Sequence, residues 1–120
     1  NHGKHARSFT YVDDIVESIF RLIEKNKAYA EGRVICESNC YQIYNIGGDH
    51  AVKLMDYIHE IEAALGRSAE IEFLPLQPGD VEKTEADTSA LEAETGFVPR
   101  TSVKDGIKAF VNWFDAYYSD

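Results

Sequence analysis

The sequence predicts an α+β lobe of about four helices and three short strands, and three observations point there. Apolar residues recur at helical spacing in four stretches. Shorter runs between them are β-branched and aromatic, or alternate apolar with acidic residues. Gly47-Gly48-Asp49, Gly66 and Gly96 stand where such stretches stop. The strands are too few and too separated to complete a sheet. The pattern therefore reads as a small α+β lobe, or as a piece that leans on another domain.

Residues 8–11, Ser-Phe-Thr-Tyr, form a short β-favouring run. Asp13 and Asp14 then place negative charge in a first helical turn, where the helix dipole favours it. Val12, Val16, Ile19 and Ile23 keep helical spacing, and Ile15, Phe20 and Leu22 widen the stripe. This predicts a helix over about 12–26. Residues 28–39 are polar and read as a loop, with a short extended piece in Gly-Arg-Val-Ile. Tyr41 to Ile46 reads as a strand running into the Gly47-Gly48-Asp49 turn. Leu54, Ile58, Ile61 and Leu65 define a second helix, with Gly66 placed as its left-handed cap.

Ala69 to Leu74 alternates Ile71 and Phe73 with Glu70 and Glu72, the pattern of a half-buried strand. Pro75 to Asp80 holds two prolines and a glycine, so it is a shaped loop. Thr84-Glu85-Ala86 reads as a short extended bridge. Asp87 or Thr88 caps a third helix through about Glu94, stopped by Gly96. Thr101 or Ser102 opens the fourth. There Val103, Ile107, Phe110 with Val111, Phe114 and Tyr118 keep helical spacing.

At 120 residues the chain is one domain at most, and 44% hydrophobic content is ordinary for a globular protein. No apolar run approaches the ~18 residues of a membrane span. The start, Asn-His-Gly-Lys-His, lacks the apolar stretch of a signal peptide and reads as a loop entered partway. With 21 acidic against 12 basic residues the net charge is -9, which argues against nucleic acid as a partner. The acids read as a solvated surface. A small anionic ligand would need only a local cluster of donors such as Arg7. Cys36 and Cys40 are too few for a disulfide scaffold or metal shell, and read as reduced thiols. The cytoplasm is the compartment that fits.

Several residues invite a chemical reading. Arg7 precedes the first helix entry, and its planar fork of donors suits phosphate oxygens, although position alone favours a surface arginine. Gln77-Pro78-Gly79-Asp80 presents an amide and a carboxylate from a fixed backbone. That suits sugar hydroxyls, or equally a turn closed by an Asx-type bond. His2 and His5 read as a mobile terminus rather than metal ligands, and no metal site is expected. Asp13 and Asp14 are neighbours on a helix and do not face each other, so they read as dipole partners rather than a catalytic pair. The stripe Phe110, Trp113, Phe114, Tyr117, Tyr118 reads as core or interface. No serine or cysteine is tied by motif to a histidine and an acid.

Five segments in order then suggest a family. They are Arg7-Ser8-Phe9-Thr10-Tyr11-Val12-Asp13-Asp14-Ile15, Tyr44-Asn45-Ile46-Gly47, Gln77-Pro78-Gly79-Asp80-Val81, Thr84-x-Ala86-Asp87 and Gly96-Phe97-x-Pro99. The series resembles the C-terminal part of extended short-chain dehydrogenase/reductases of the NAD-dependent epimerase/dehydratase family. It is most similar to UDP-glucuronate 4-epimerases. Gly106-Ile107-x-x-Phe110-Val111-x-Trp113 is similar to their last helix. The resemblance spans essentially the whole chain.

This resemblance implies that residues 1–120 are the substrate-binding part of a cytoplasmic, homodimeric Rossmann-type enzyme of polysaccharide biosynthesis. It implies a UDP-sugar ligand and NAD held by a separate N-terminal domain. Arg7 matches the family's diphosphate arginine. Gln77 and Asp80 match the loop on the ribose and phosphate side. Relatives often carry aspartate at the position of Ser8. Galactose-type epimerases carry arginine at that of Gln77, which favours the glucuronate branch. The chain itself has no glycine-rich dinucleotide loop and no Tyr-x-x-x-Lys pair. It is thus expected to hold no catalytic or cofactor-binding residue and to be inactive alone. The alternatives are a sugar-nucleotide 4,6-dehydratase or decarboxylase on the same fold, and a stand-alone acidic interaction module docking through its aromatic last helix.

Overall fold

The computed structural model describes residues 1–31 and 41–118. The expected loop over 28–39 falls largely outside that range, as do its extended piece and the two cysteines. Within it run, in order, β1 (Ala6–Arg7), α1 (Val12–Ala30), β2 (Val52–Lys53), α2 (Leu54–Leu65), β3 (Lys83–Thr84), α3 (Ser89–Thr95) and α4 (Val103–Tyr118). The α+β class and the four helices are as the sequence predicts.

Helix ends follow local chemistry. Gly66 and Gly96 both adopt φ +66, and each donates its N–H back to a carbonyl of the last turn. Ser102 accepts from the Asp105 N–H at 3.1 Å and donates to the Asp105 carboxylate at 2.6 Å, a reciprocal start to α4. Asp87 accepts the Ser89 N–H at 3.0 Å ahead of α3. α1 runs to Ala30, past the expected end near residue 26, since Lys27-Ala28-Tyr29-Ala30 contains no breaker.

Apart from the bridge expected from Thr84, whose first residue lies in β3, the strands are not where their patterns suggest. The order is β2-β1-β3, with β1 antiparallel to β2 and parallel to β3. Arg7 lies opposite Val52 on one side and Thr84 on the other. Residues 8–11, 41–46 and 69–74 form no ladder, which corrects three expectations. Their side-chain patterns suit a strand, but none has a partner among the described residues, and a strand is made by its ladder. Residues 45–48 are instead pinned by side chains. Ser8 donates to the Gly48 carbonyl at 2.6 Å, Gly48 N–H donates to Thr10 Oγ1 at 3.1 Å, and Asn45 donates to the Asp87 carbonyl at 3.2 Å. A side chain on Gly48 would meet the Phe9 carbonyl at 2.5 Å, so this approach requires glycine.

The core is thin. Leu91, Ile107, Val111 and Pro99 are buried, with Ser18 satisfied by the Asp14 carbonyl at 2.7 Å. The Asp14 carboxylate accepts from both the N–H and the hydroxyl of Thr101, each at 2.9 Å, and so locks α1 to the start of α4. Its place in the first turn is as expected, but the Thr101 clamp is an addition that spacing could not show. The outer faces of α1 and α4, including Val12, Val16, Phe20, Phe110, Trp113 and Tyr117, are exposed. No helix among the described residues is long and apolar enough to cross a membrane.

Candidate substrate site

The two motif-bearing segments converge. β1 and β3 are parallel neighbours, and the Ala6 N–H donates to the Glu82 carbonyl at 2.9 Å. That pairing lays the 75–82 loop along Arg7. Pro78 and Gly79 occupy the middle of a turn closed by the Asp80 N–H on the Gln77 carbonyl at 3.1 Å. Gly79 has φ +84, the third position of a type II turn, where any larger residue is strained.

Arg7 reaches across this loop. One terminal nitrogen donates to the Ala6 and Glu82 carbonyls at 3.0 and 3.1 Å. The other donates to the Val81 carbonyl at 2.7 Å and to Asp80 Oδ1 at 2.9 Å. Asp80 Oδ1 also accepts the Val81 N–H at 2.8 Å. The guanidinium thereby knits strand to loop, and its fork geometry is what lets one side chain meet four acceptors. Gln77 is exposed, and its amide has only a long 3.5 Å approach to the Pro75 carbonyl. Its polar atoms therefore face solvent uncommitted.

His5 joins the cluster. Its Nε2 is buried and lies 3.1 Å from Asp80 Oδ2, out of line for a hydrogen bond. With the side chain only 16% exposed, His5 is not part of a mobile terminus, which corrects that expectation. The available signal was its spacing: two residues apart on an extended segment, His5 and Arg7 share a face. Asp80 thus stands between the His5 imidazole and the Arg7 guanidinium, and at 41% exposure it keeps an open side.

The parallel pairing of β1 with β3 has two residues a strand and no glycine-rich turn into a helix. No cluster of three metal-ligating side chains occurs among the described residues.

A second concavity lies between α2 and α4, with a volume of about 550 Å³. Phe9, Tyr57, Ile61, Leu65, Ile107 and Phe110 line it, and Phe9 stacks on Tyr57 at 4.0 Å between centroids. Phe9 to Val12 and Gly106 to Val111 of the family segments also border it, but nothing in their pattern marked a cavity there.

Comparison with known proteins agrees with this architecture. The family described as GDP-mannose 4,6 dehydratase matches residues 1–110. An uncharacterized 37.6 kDa protein of Escherichia coli O111:H- is 48% identical over 124 residues, covering 98% of this chain and 37% of that protein. A probable UDP-glucuronate 4-epimerase of Rhizobium meliloti is 41% identical over 123 residues, covering 97% and 36% respectively. The crystal structure of UDP-glucuronic acid 4-epimerase from Bacillus cereus, in complex with UDP-glucuronic acid and NAD, superposes with a TM-score of 0.74 at 28% identity. That match covers 97% of this chain and 34% of the other. The chain therefore spans little more than a third of the curated relatives it matches. It belongs to the GDP-mannose 4,6-dehydratase family of NAD-dependent epimerases and dehydratases, and corresponds to the C-terminal part of such an enzyme.

Proposed function

We propose that the chain is the nucleotide-sugar-binding part of a UDP-sugar 4-epimerase that interconverts UDP-glucuronate and UDP-galacturonate. The observation that carries this reading is the convergence of Arg7 and the Gln77–Asp80 loop in a chain similar to a UDP-glucuronic acid-bound epimerase. The free Gln77 amide and the open side of Asp80 suit hydroxyl and phosphate-side contacts. Arg7 contributes positive charge and its remaining Nε–H toward a diphosphate, while its terminal nitrogens hold the loop.

The catalytic tyrosine and lysine and the NAD would come from a Rossmann domain elsewhere in the parent polypeptide, since this chain has neither pair nor loop. Alone, these residues form half a pocket and are inactive. A half-built pocket keeps only part of its ligand contacts, so UDP-glucuronate binds it weakly or not at all. We place the parent in the cytoplasm as a homodimer.

The test is to supply the full-length parent with UDP-glucuronate and separate the products. UDP-galacturonate is the expected product. A 4,6-dehydrated or decarboxylated sugar would move the parent to the dehydratase or decarboxylase branch. No turnover of any UDP-sugar would leave the family assignment alone.

A further inference from the structure

We propose that the cavity between α2 and α4 binds a small organic monoanion with an apolar body, held by Arg67. Its volume, about 550 Å³, lies within the range of small-ligand pockets, ~300–1,000 Å³. The wall is mostly apolar, and the stacked Phe9–Tyr57 pair makes one side of it rigid. Such a surface favours an aliphatic or aryl body over water.

The charge is set by which polar groups remain free. Thr10, Thr101 and Ser102 reach the cavity, but each side chain is engaged. Thr10 Oγ1 accepts from Gly48, Thr101 donates to Asp14, and Ser102 is paired with Asp105. Arg67 is different. It lines the same cavity, and its guanidinium has no partner among the described residues. Glu62, at the end of α2, is engaged instead in accepting the Ala69 N–H at 2.8 Å. The left-handed Gly66 and the bond from Arg67 N–H to the Glu62 carbonyl at 3.3 Å fix the backbone that carries the arginine. An unpaired guanidinium beside an apolar hollow is complementary to a carboxylate on a hydrocarbon. On a chain of net charge -9, diffuse attraction would not draw an anion in, so binding of one would have to come from this local site.

The experiment is calorimetric titration of the full-length parent with decanoate and, as its uncharged counterpart, decanol. Decanoate is expected to bind about tenfold more tightly than decanol, the difference a charge-assisted hydrogen bond makes. Arg67→Met should bring decanoate down to the level of decanol. Leu65→Trp, which fills the rim without touching the core, should abolish both. UDP-sugar turnover should survive Arg67→Met, which separates this site from the nucleotide site. Equal binding of the two probes, indifference to Arg67→Met, or no binding to the full-length protein would each overturn the proposal. The last result would mean that the rest of the parent polypeptide fills the cavity.

Discussion

The Arg7–Asp80 junction and the α2–α4 cavity treat their arginines in opposite ways. At the junction, both terminal nitrogens of Arg7 are occupied by acceptors of the chain itself. At the cavity, the Arg67 guanidinium has no partner among the described residues, and the surroundings are apolar. The first region carries Arg7 and the Gln77–Val81 loop, two of the segments that pointed to a family, yet much of its chemistry goes into holding its own loop. The second is bordered by family segments as well, but its cation, Arg67, belongs to none of them and is free. Residues shared with a family therefore serve architecture as well as ligand, and a free donor can lie where no pattern marks it.

The strongest way to break this contrast is to change Arg7 in the full-length parent. Arg7→Ala removes a charge-assisted bond worth about 1.5–3 kcal/mol and frees the loop, so UDP affinity should fall roughly tenfold or more by calorimetry. Arg7→Lys should fail to restore it, because a single ammonium cannot span the acceptors that the guanidinium spans. Wild-type affinity in Arg7→Lys would mean that charge alone matters there and that the contrast is false.

Asp14→Ala should come next. It leaves the Thr101 N–H and hydroxyl without their acceptor at the wall of the cavity, a loss of about 1–3 kcal/mol in denaturant unfolding. The two regions are separate if UDP affinity changes much less than stability.

Smallest is the effect of Asp87, which belongs to neither region. Hydrogen bonds from the Ser89 hydroxyl, and then from its N–H, hold this carboxyl below its usual range. The charged form is favoured when folded, so its contribution is present above the ordinary carboxylate value of about 4. It is lost as pH falls through the lowered value. Protection of the α3 amides against hydrogen exchange should therefore fall on acidification in the wild type, and much less in Asp87→Asn. Identical pH profiles would remove the cap.

The sequence made the helices legible because apolar spacing and left-handed glycines act locally. Val12–Ile23 and Leu54–Leu65 needed no knowledge of distant residues, and Gly66 and Gly96 mark the stops of α2 and α3 whatever lies beyond. The strands were illegible for the opposite reason. Ala6–Arg7 and Val52–Lys53 are too short and too polar to show alternation, Lys83–Thr84 showed only as a short bridge from Thr84, and each exists only through a distant partner. Tyr41–Ile46 and Ala69–Leu74 have the right composition but no ladder among the described residues. At the site, the motif residues were named from their segments. Their mutual pairing, and the burial of His5 against Asp80, depend on β1 meeting β3, which no local pattern encodes.

The central position of β1 has a kinetic consequence. Its antiparallel neighbour lies one helix downstream and its parallel neighbour lies beyond two. The helices can form within microseconds from nearby residues, whereas the strand must wait for long stretches of chain to close around it. The junction that gathers Arg7, Asp80 and His5 is thus among the last parts to assemble. Such late contacts slow unfolding more than they hasten folding, so weakening them should show mainly as a faster unfolding rate.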